Sequence, residues 1–180
     1  MKTAMRNLNV FLLFLIFSAF DLLAGDNAPL SCPNEMELQG NRCYKAMKLS
    51  ASWPEAKEYC TIIGAKLAAI ATNYEQNLIS GIIFRQYGKS EQNAYWLDGS
   101  DMLVEKEWQW MGNDGSPVPF SFTYWGPKQP SNSKERCLEI RYDLQSKWNN
   151  AHCQVLRNVI CEARAIGKGR DVVNDTLQEP

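Results

Sequence analysis

Two stretches in the first half of the chain have the apolar spacing and the end signals of amphipathic helices. The first begins with the capping box SWPE at residues 52–55 and keeps its apolar residues on one face. Gly64 follows it, and a glycine can adopt the left-handed conformation that ends a helix. The second opens with the similar sequence TNYE at residues 72–75 and meets Gly88. The sequence therefore predicts two helices, over about residues 53–63 and 73–87, with Cys60 facing inward from the first.

The second half of the chain has a different pattern. Its apolar residues come in short aromatic and β-branched runs that alternate with polar residues in places, which is typical of strands. These runs lie at residues 95–97, 108–110, 137–141 and 159–161. Helices followed by strands predict an α+β domain.

A long stretch without regular periodicity separates two of these strands. The 26 residues between Trp110 and Cys137 contain half of the chain's eight prolines and three glycines. A loop of this length inside a compact domain is typically functional. Four aromatic residues between positions 120 and 125 can anchor it to the core. We therefore interpret residues 111–136 as a functional loop.

The pattern of the N-terminal residues indicates that they are not part of the folded domain. Lys2 and Arg6 precede an uncharged apolar run that ends before Asp21, and this order is typical of a secretory signal peptide. The run is too short for a membrane anchor, which needs about 20 apolar residues. We expect residues 1–25 to be a signal peptide and the protein to be secreted.

After that segment we expect one domain over residues 26–163 and a flexible tail over residues 164–180. The tail is mixed in charge and poor in large apolar groups, and it holds the chain's only N-glycosylation sequon, at Asn174. Over the whole chain 19 basic and 20 acidic residues give a net charge of −1. This balance excludes a basic nucleic-acid surface.

Six cysteines in the exported part of the chain predict three disulfides, because an even number in an oxidising compartment can pair without remainder. Their spacing alone leaves every pairing open. A zinc site is disfavoured because no Cys-x-x-Cys pair occurs and His152 is the only histidine. A nucleophilic cysteine would leave an odd thiol, so the sequence does not indicate an enzyme.

Taken in order, these features resemble the C-type lectin domain family, and the match runs from Cys32 to Glu162. The landmarks are the two capped helices and the sequences YWLDG at 95–99, WQW at 108–110, QPS at 129–131, ERCLEI at 135–140, WNN at 148–150 and ICE at 160–162. Within the family, residues 129–154 are similar to the perlucin-like proteins of mollusc shell.

The resemblance implies a C-type lectin-like fold, with two helices packed on small antiparallel sheets beside a long loop region. It also implies which cysteines pair. The implied disulfides are Cys32–Cys43, Cys60–Cys161 and Cys137–Cys153.

The resemblance further implies that the long loop carries one calcium ion, whose shell is completed by two sugar hydroxyls. Carried over by position, the ligands are Gln129, Ser131, Glu135, Asn149 and Asn150. All five offer oxygen, but Glu135 is the only carboxylate, so we expect weak calcium binding. Gln129 favours galactose, although Ser131 belongs to neither of the residue pairs by which the family selects its sugar.

An auxiliary calcium site is also implied by the resemblance. Asp101 and Glu105 occupy matching positions, whereas Asn132 and Arg136 stand where the family has carboxylates. A guanidinium carries donors only and cannot ligate a cation. We expect this auxiliary site to hold no calcium.

Two functional hypotheses follow. The first is a secreted lectin that binds glycans or glycoproteins, with weak calcium dependence. The second is a structural protein of the extracellular matrix, of the perlucin type, that acts at calcium carbonate mineral or protein surfaces without calcium-dependent sugar binding. A venom-type subunit on the same fold is disfavoured, because it needs a spare cysteine for a partner chain. We expect no nucleic-acid partner and no membrane span.

Overall fold

The computed structural model of the chain describes residues 29–88, 94–112 and 116–167. The predicted signal peptide, Asn174 and the tail beyond residue 167 lie outside the described residues. The chain divides into two compact units, and residues 32–166 form the unit that contains both helices and most of the strands. Of the other unit only residues 29–31 and Gly167 are described.

The two predicted helices are present with nearly the predicted bounds: α1 is Trp53–Ile62 and α2 is Asn73–Tyr87. At the start of α1 the Glu55 carboxylate accepts hydrogen bonds from the backbone nitrogen and hydroxyl of Ser52, at 2.8 and 2.6 Å. Gly88 follows α2 with a φ of +64°, which favours glycine, so the helix ends there. Neither helix in the described part of the chain has the length and apolar character needed to cross a bilayer.

Eleven short strands accompany the helices in the described part of the chain. They are β1 (Leu30–Ser31), β2 (Glu37–Gln39), β3 (Arg42–Ala51), β4 (Lys66–Leu67), β5 (Ala94–Ser100), β6 (Gln109–Trp110), β7 (Val118–Pro119), β8 (Cys137–Arg141), β9 (Lys147–Ala151), β10 (Arg157–Arg164) and β11 (Ile166–Gly167). Nine of them, β2 to β10, form one sheet. The predicted α+β class is confirmed.

The sheet is built around β10. This strand pairs antiparallel with β3 and β4 and parallel with β5. On its other side β5 continues to β6 and, through β8, to β9, all antiparallel. The segment between the edge strand β7 and the inner strand β8 makes up most of the predicted loop, and β7 itself lies within that loop.

The order of elements differs from the prediction at the N-terminus. Strand β3 precedes both helices and pairs with β10 from Arg42, opposite Arg164, to Ala51, opposite Arg157. Its basic residues Arg42, Lys45 and Lys48 recur every third position, which obscures the two-residue alternation of a strand. Arg164, assigned to the flexible tail from the sequence, is the last residue of β10.

Two apolar clusters form the core of the domain. One packs α2 against the sheet around Trp148, Tyr95 and Leu97, and the aromatic residues of the long loop cover it. The other packs α1 around Trp53, Trp96 and the three disulfides. Of the tryptophans in the predicted strands, Trp96 is fully enclosed and Trp110 nearly so.

Three disulfides cross-link the domain, and they join the pairs that the resemblance implies. Their Cα–Cα separations lie between 5.2 and 5.6 Å, within the usual range. The bridges are Cys32–Cys43, Cys60–Cys161 and Cys137–Cys153. Among the described residues no cysteine is free.

Candidate functional site

The long loop is attached to the core by its aromatic residues. Phe120, Phe122 and Trp125 each meet the buried indole of Trp148 edge to face, with ring centroids 5.4 to 5.8 Å apart. The backbone adds to this attachment, because the Trp148 nitrogen donates to the Tyr124 carbonyl at 2.9 Å. Edge-to-face aromatic pairs stabilise by about 1 kcal/mol beyond their buried area. The aromatic anchor inferred from the sequence is therefore present.

Beyond this anchor the chain passes through a cis peptide bond between Gln129 and Pro130. It then meets β9, where Asn150 holds it with both ends of its side-chain amide. The Asn150 oxygen accepts from the Ser131 nitrogen at 2.9 Å, and its amide nitrogen donates to the carbonyls of Asn132 and Glu135 at 2.8 and 2.9 Å. Asn150 is almost fully buried. One amide thus binds the loop at three backbone points.

Three of the five predicted ligands are brought together by this arrangement. The Ser131 hydroxyl lies 3.5 Å from the Glu135 carboxylate, and Ser131 is also bonded to Asn150. Gln129 precedes them, and its side-chain oxygen is buried without a hydrogen-bond partner among the described residues. A buried carbonyl oxygen without a donor is unfavourable unless something binds it.

Asn149, the remaining predicted ligand, takes part in a different cluster. Its amide nitrogen donates to the buried Glu139 carboxylate on β8 and to the Asn150 carbonyl, both at 2.7 Å. Arg157 on β10 bonds the other Glu139 oxygen at 2.5 Å. These contacts fix the orientation of Asn149. The sequence analysis did not single out Glu139 or Arg157, and their register positions on neighbouring strands were not readable without the sheet.

The donor set fits a calcium ion in part. Gln129 offers an unpartnered oxygen, and Glu135 and Ser131 offer the hard oxygens that calcium prefers. The amide nitrogen of Asn150, however, already occupies the space between two loop carbonyls, and a nitrogen donor cannot ligate a cation. Among the described residues no cluster of three or more acidic, histidine or cysteine side chains is placed to hold a metal.

The residues of the auxiliary position form a separate group beside the loop. Arg136 points its guanidinium at two carboxylates, with its Nε 3.6 Å from Asp101 and an Nη 3.5 Å from Glu105. Asp101 is buried, and its second oxygen accepts from the Lys106 nitrogen at 2.9 Å. A cationic side chain of the protein therefore lies where the resemblance has a metal ion.

A small cleft of about 100 Å³ opens between these two groups. It has polar walls and one aromatic wall, Trp108, which also packs edge to face against Trp125 with centroids 5.0 Å apart. The cleft is lined by Asp101, Lys106, Trp108, Pro130, Ser131, Asn132, Ser133 and Asn150. The sequence analysis placed Trp108 in a strand and gave it no role in binding. Its side chain is only partly buried, and the tryptophan-rich strand pattern carried no sign of this.

Comparison with known proteins identifies the class of protein that this fold and cleft define. The model of the Lectin C-type domain matches residues 49–163, and the chain belongs to the C-type lectin domain family. The lectin-like fold inferred from the sequence is confirmed.

Several individual relatives are also similar. The chain is 34% identical to perlucin of Haliotis laevigata, over 75% of this chain and 84% of perlucin. It is 33% identical to the galactose-specific lectin nattectin of Thalassophryne nattereri, over 74% and 81%. It is 33% identical to mouse C-type lectin domain family 6 member A over 75% of this chain, but the match spans only 62% of that relative's length.

Solved structures with the same fold include proteins of different functions. A calcium-independent type II antifreeze protein aligns with a TM-score of 0.65 and 27% identity, over 78% of this chain and 99% of its own. The C-type lectin domain of murine dendritic cell inhibitory receptor 2, solved in complex with N-glycan, aligns with a TM-score of 0.62 and 28% identity, over 74% and 99%. The fold is therefore compatible with both calcium-free and sugar-binding members.

Proposed function

We propose that this protein is a secreted lectin that binds the terminal sugar of a glycan or glycoprotein at the cleft beside Trp108. The observation that carries this proposal is that polar side chains and one aromatic ring line the same cleft. Sugars present hydroxyls on their edges and apolar C–H groups on their faces. Ser131 and Asn132 supply exposed polar groups to the cleft, and Trp108 supplies a flat apolar surface.

Galactose is the sugar that we propose, for two reasons. Gln129 occupies the position that favours galactose in the family, and the relative nattectin is named as galactose-specific. Trp108 also supplies the stacking ring that the loop sequence itself lacks after Ser131. The cleft volume of about 100 Å³ suits one edge of a single terminal sugar.

We further propose one calcium ion, held weakly by Gln129, Ser131, Glu135, Asn149 and Asn150. A single carboxylate among five ligands gives low affinity, roughly millimolar. Calcium would also compete with the hydrogen bonds that Asn150 makes inside the loop. When bound, the ion would supply two open positions for sugar hydroxyls. The role is that of a binding protein and not of an enzyme, in keeping with its family.

The test is a glycan array probed with the full oxidised chain, in chelator and in about 10 mM calcium. We expect galactose-terminated glycans to be retained, more strongly with calcium. Trp108→Ala should weaken binding about tenfold by removing the stacking surface. Tyr74→Ala is the matched control, because Tyr74 is an exposed aromatic residue on α2 outside the cleft. If no glycan is retained under either condition, the sugar-binding proposal is wrong.

A second candidate function is the matrix role implied by the resemblance to perlucin-like proteins. It is favoured by one observation: the hydrogen bonds of Asn150 and the ion pairs of Arg136 hold the loop through protein groups. In that case the protein would adsorb to calcium carbonate particles or matrix proteins. Adsorption that free galactose does not reduce, together with an empty glycan array, would support this role.

Secretion is part of the proposal and has its own test. Expression of the whole coding sequence in cultured animal cells should release the protein into the medium with its N-terminal segment removed. N-terminal sequencing should place the cut near residue 25. Retention of the intact chain inside the cells would contradict this part.

A further inference from the structure

Arg136 connects two chain segments that are far apart in sequence. Its guanidinium faces Asp101 at 3.6 Å and Glu105 at 3.5 Å, both on the segment that follows β5. Its own Nε also donates to the Ser133 carbonyl at 3.2 Å. One side chain thus joins the start of the segment 101–107 to the end of the long loop.

The backbone of Arg136 binds the same segment. Its carbonyl accepts from the Ser100 hydroxyl at 2.7 Å and from the Asp101 nitrogen at 3.3 Å. The Ser100 hydroxyl in turn accepts from the Met102 nitrogen at 3.1 Å. The segment therefore meets Arg136 through backbone and side chain together.

Asp101 makes a cation necessary at this point. The residue is 4% exposed, and its Oδ1 has no hydrogen-bond partner among the described residues. A buried carboxylate is costly unless a positive charge lies close to it. Glu105 adds a second negative charge on the same side. Arg136 is the positive group that the structure places between them, and its planar guanidinium can face two carboxylates at once.

We propose that Arg136 acts as a built-in cation that holds the segment 101–107 against the long loop and so shapes one wall of the cleft, in place of a metal ion. The residues do not fit the auxiliary calcium that the resemblance implies, because the guanidinium takes its position. This wall, which includes Asp101 and Lys106, is therefore ordered with or without calcium. The inference does not depend on whether the cleft binds sugar.

The test measures hydrogen exchange at the amides of Met102 and Lys106, which donate to Ser100 and Asp101. In the wild-type chain we expect equal protection in chelator and in calcium. Arg136→Ala should lose protection at both amides by about tenfold. Arg136→Lys keeps the positive charge but loses the planar guanidinium. Its amide protection should therefore lie between that of the wild type and that of Arg136→Ala.

A charge-reversing variant gives the second readout. Arg136→Asp leaves three carboxylates facing one another, and these are good ligands for calcium. We expect it to lose protection in chelator and regain it with calcium. Calorimetry with calcium alone should show one more bound ion per chain than in the wild type. Lys134→Ala is the matched control, because it removes an exposed positive charge two residues away.

Three outcomes would overturn the inference. They are loss of Met102 and Lys106 protection when the wild-type protein is placed in chelator, full protection in Arg136→Ala, and absence of an additional calcium in a folded Arg136→Asp. Circular dichroism establishes folding in each case. If Arg136→Asp does not fold, amide protection in Arg136→Ala and Arg136→Lys still tests the inference.

Discussion

Replacing Asn150 by Asp exchanges the side-chain amide nitrogen for an oxygen, so a hydrogen-bond donor to the loop becomes an acceptor. The retained oxygen still accepts from the Ser131 nitrogen. The new oxygen faces the carbonyls of Asn132 and Glu135, which lie 2.8 and 2.9 Å from the present amide nitrogen. Two hydrogen bonds are lost, each worth about 1 kcal/mol, and two carbonyls lose their donor. In the absence of metal we expect about 3 kcal/mol of destabilisation, or roughly 10 °C in melting temperature.

Calcium should reverse this effect. A divalent ion between the carboxylate introduced by Asn150→Asp and the neighbouring oxygens would turn a repulsive contact into a ligand shell. The assay is urea unfolding followed by tryptophan fluorescence, in chelator and in about 10 mM calcium. Asn41→Asp makes the same chemical change at an exposed position and should behave as wild type under both conditions.

Each part of this reasoning can be refuted separately. If Asn150→Asp unfolds at the wild-type urea concentration in chelator, the Asn150 amide does not hold the loop. If the variant is destabilised but calcium restores nothing, the loop contacts are as described and the proposed calcium position is wrong.

Three further predictions follow from single side chains. Glu135→Gln removes the only carboxylate among the proposed calcium ligands, so calorimetry should detect no calcium binding at the loop; unchanged binding would contradict the ligand set. Glu55→Gln should destabilise the protein near neutral pH but not in acid. Hydrogen bonds from Ser52 hold the pKa of Glu55 below its usual range, so its contribution to stability is present above that range and is lost as the pH falls through the lowered pKa. Parallel melting curves at every pH would refute this. Gly99→Ala should lower the free energy of unfolding in denaturant by about 1 to 3 kcal/mol, because a Cβ there would lie 2.6 Å from Leu138. An unchanged unfolding midpoint would show that the core rearranges to accommodate the methyl group.

The helices were predictable to within a residue because their end signals are local. The Ser52 and Thr72 boxes and the glycines that follow each helix act over four or five neighbouring residues. Strand β3 was not predictable in this way. Its basic residues are spaced three apart, which matches neither the two-residue period of a strand nor the 3.6-residue period of a helix. Only its pairing with β10 explains why it is extended.

The candidate site was predictable only as a set of positions. The resemblance brought Ser131, Glu135 and Asn150 together, and the structure places these three in one hydrogen-bonded group. Which atoms of the Asn150 amide face the loop depends on carbonyl positions that no side-chain pattern encodes. The approach of Arg136 to Asp101 likewise depends on the pairing of β5 with β8, which sets residues 35 positions apart side by side.

The central place of β10 has a consequence for how the protein is made. The strand that joins β3, β4 and β5 is also the last long strand among the described residues, and Cys161 on it pairs with Cys60, 101 residues earlier. Folding is therefore dominated by contacts between distant parts of the sequence, which slows it. During synthesis both helices and the whole loop are made before β10, the strand at the centre of the sheet. A chain truncated after Ala151 should remain unfolded with Cys60 unpaired, and the nascent chain must be kept from aggregating until β10 has been synthesised.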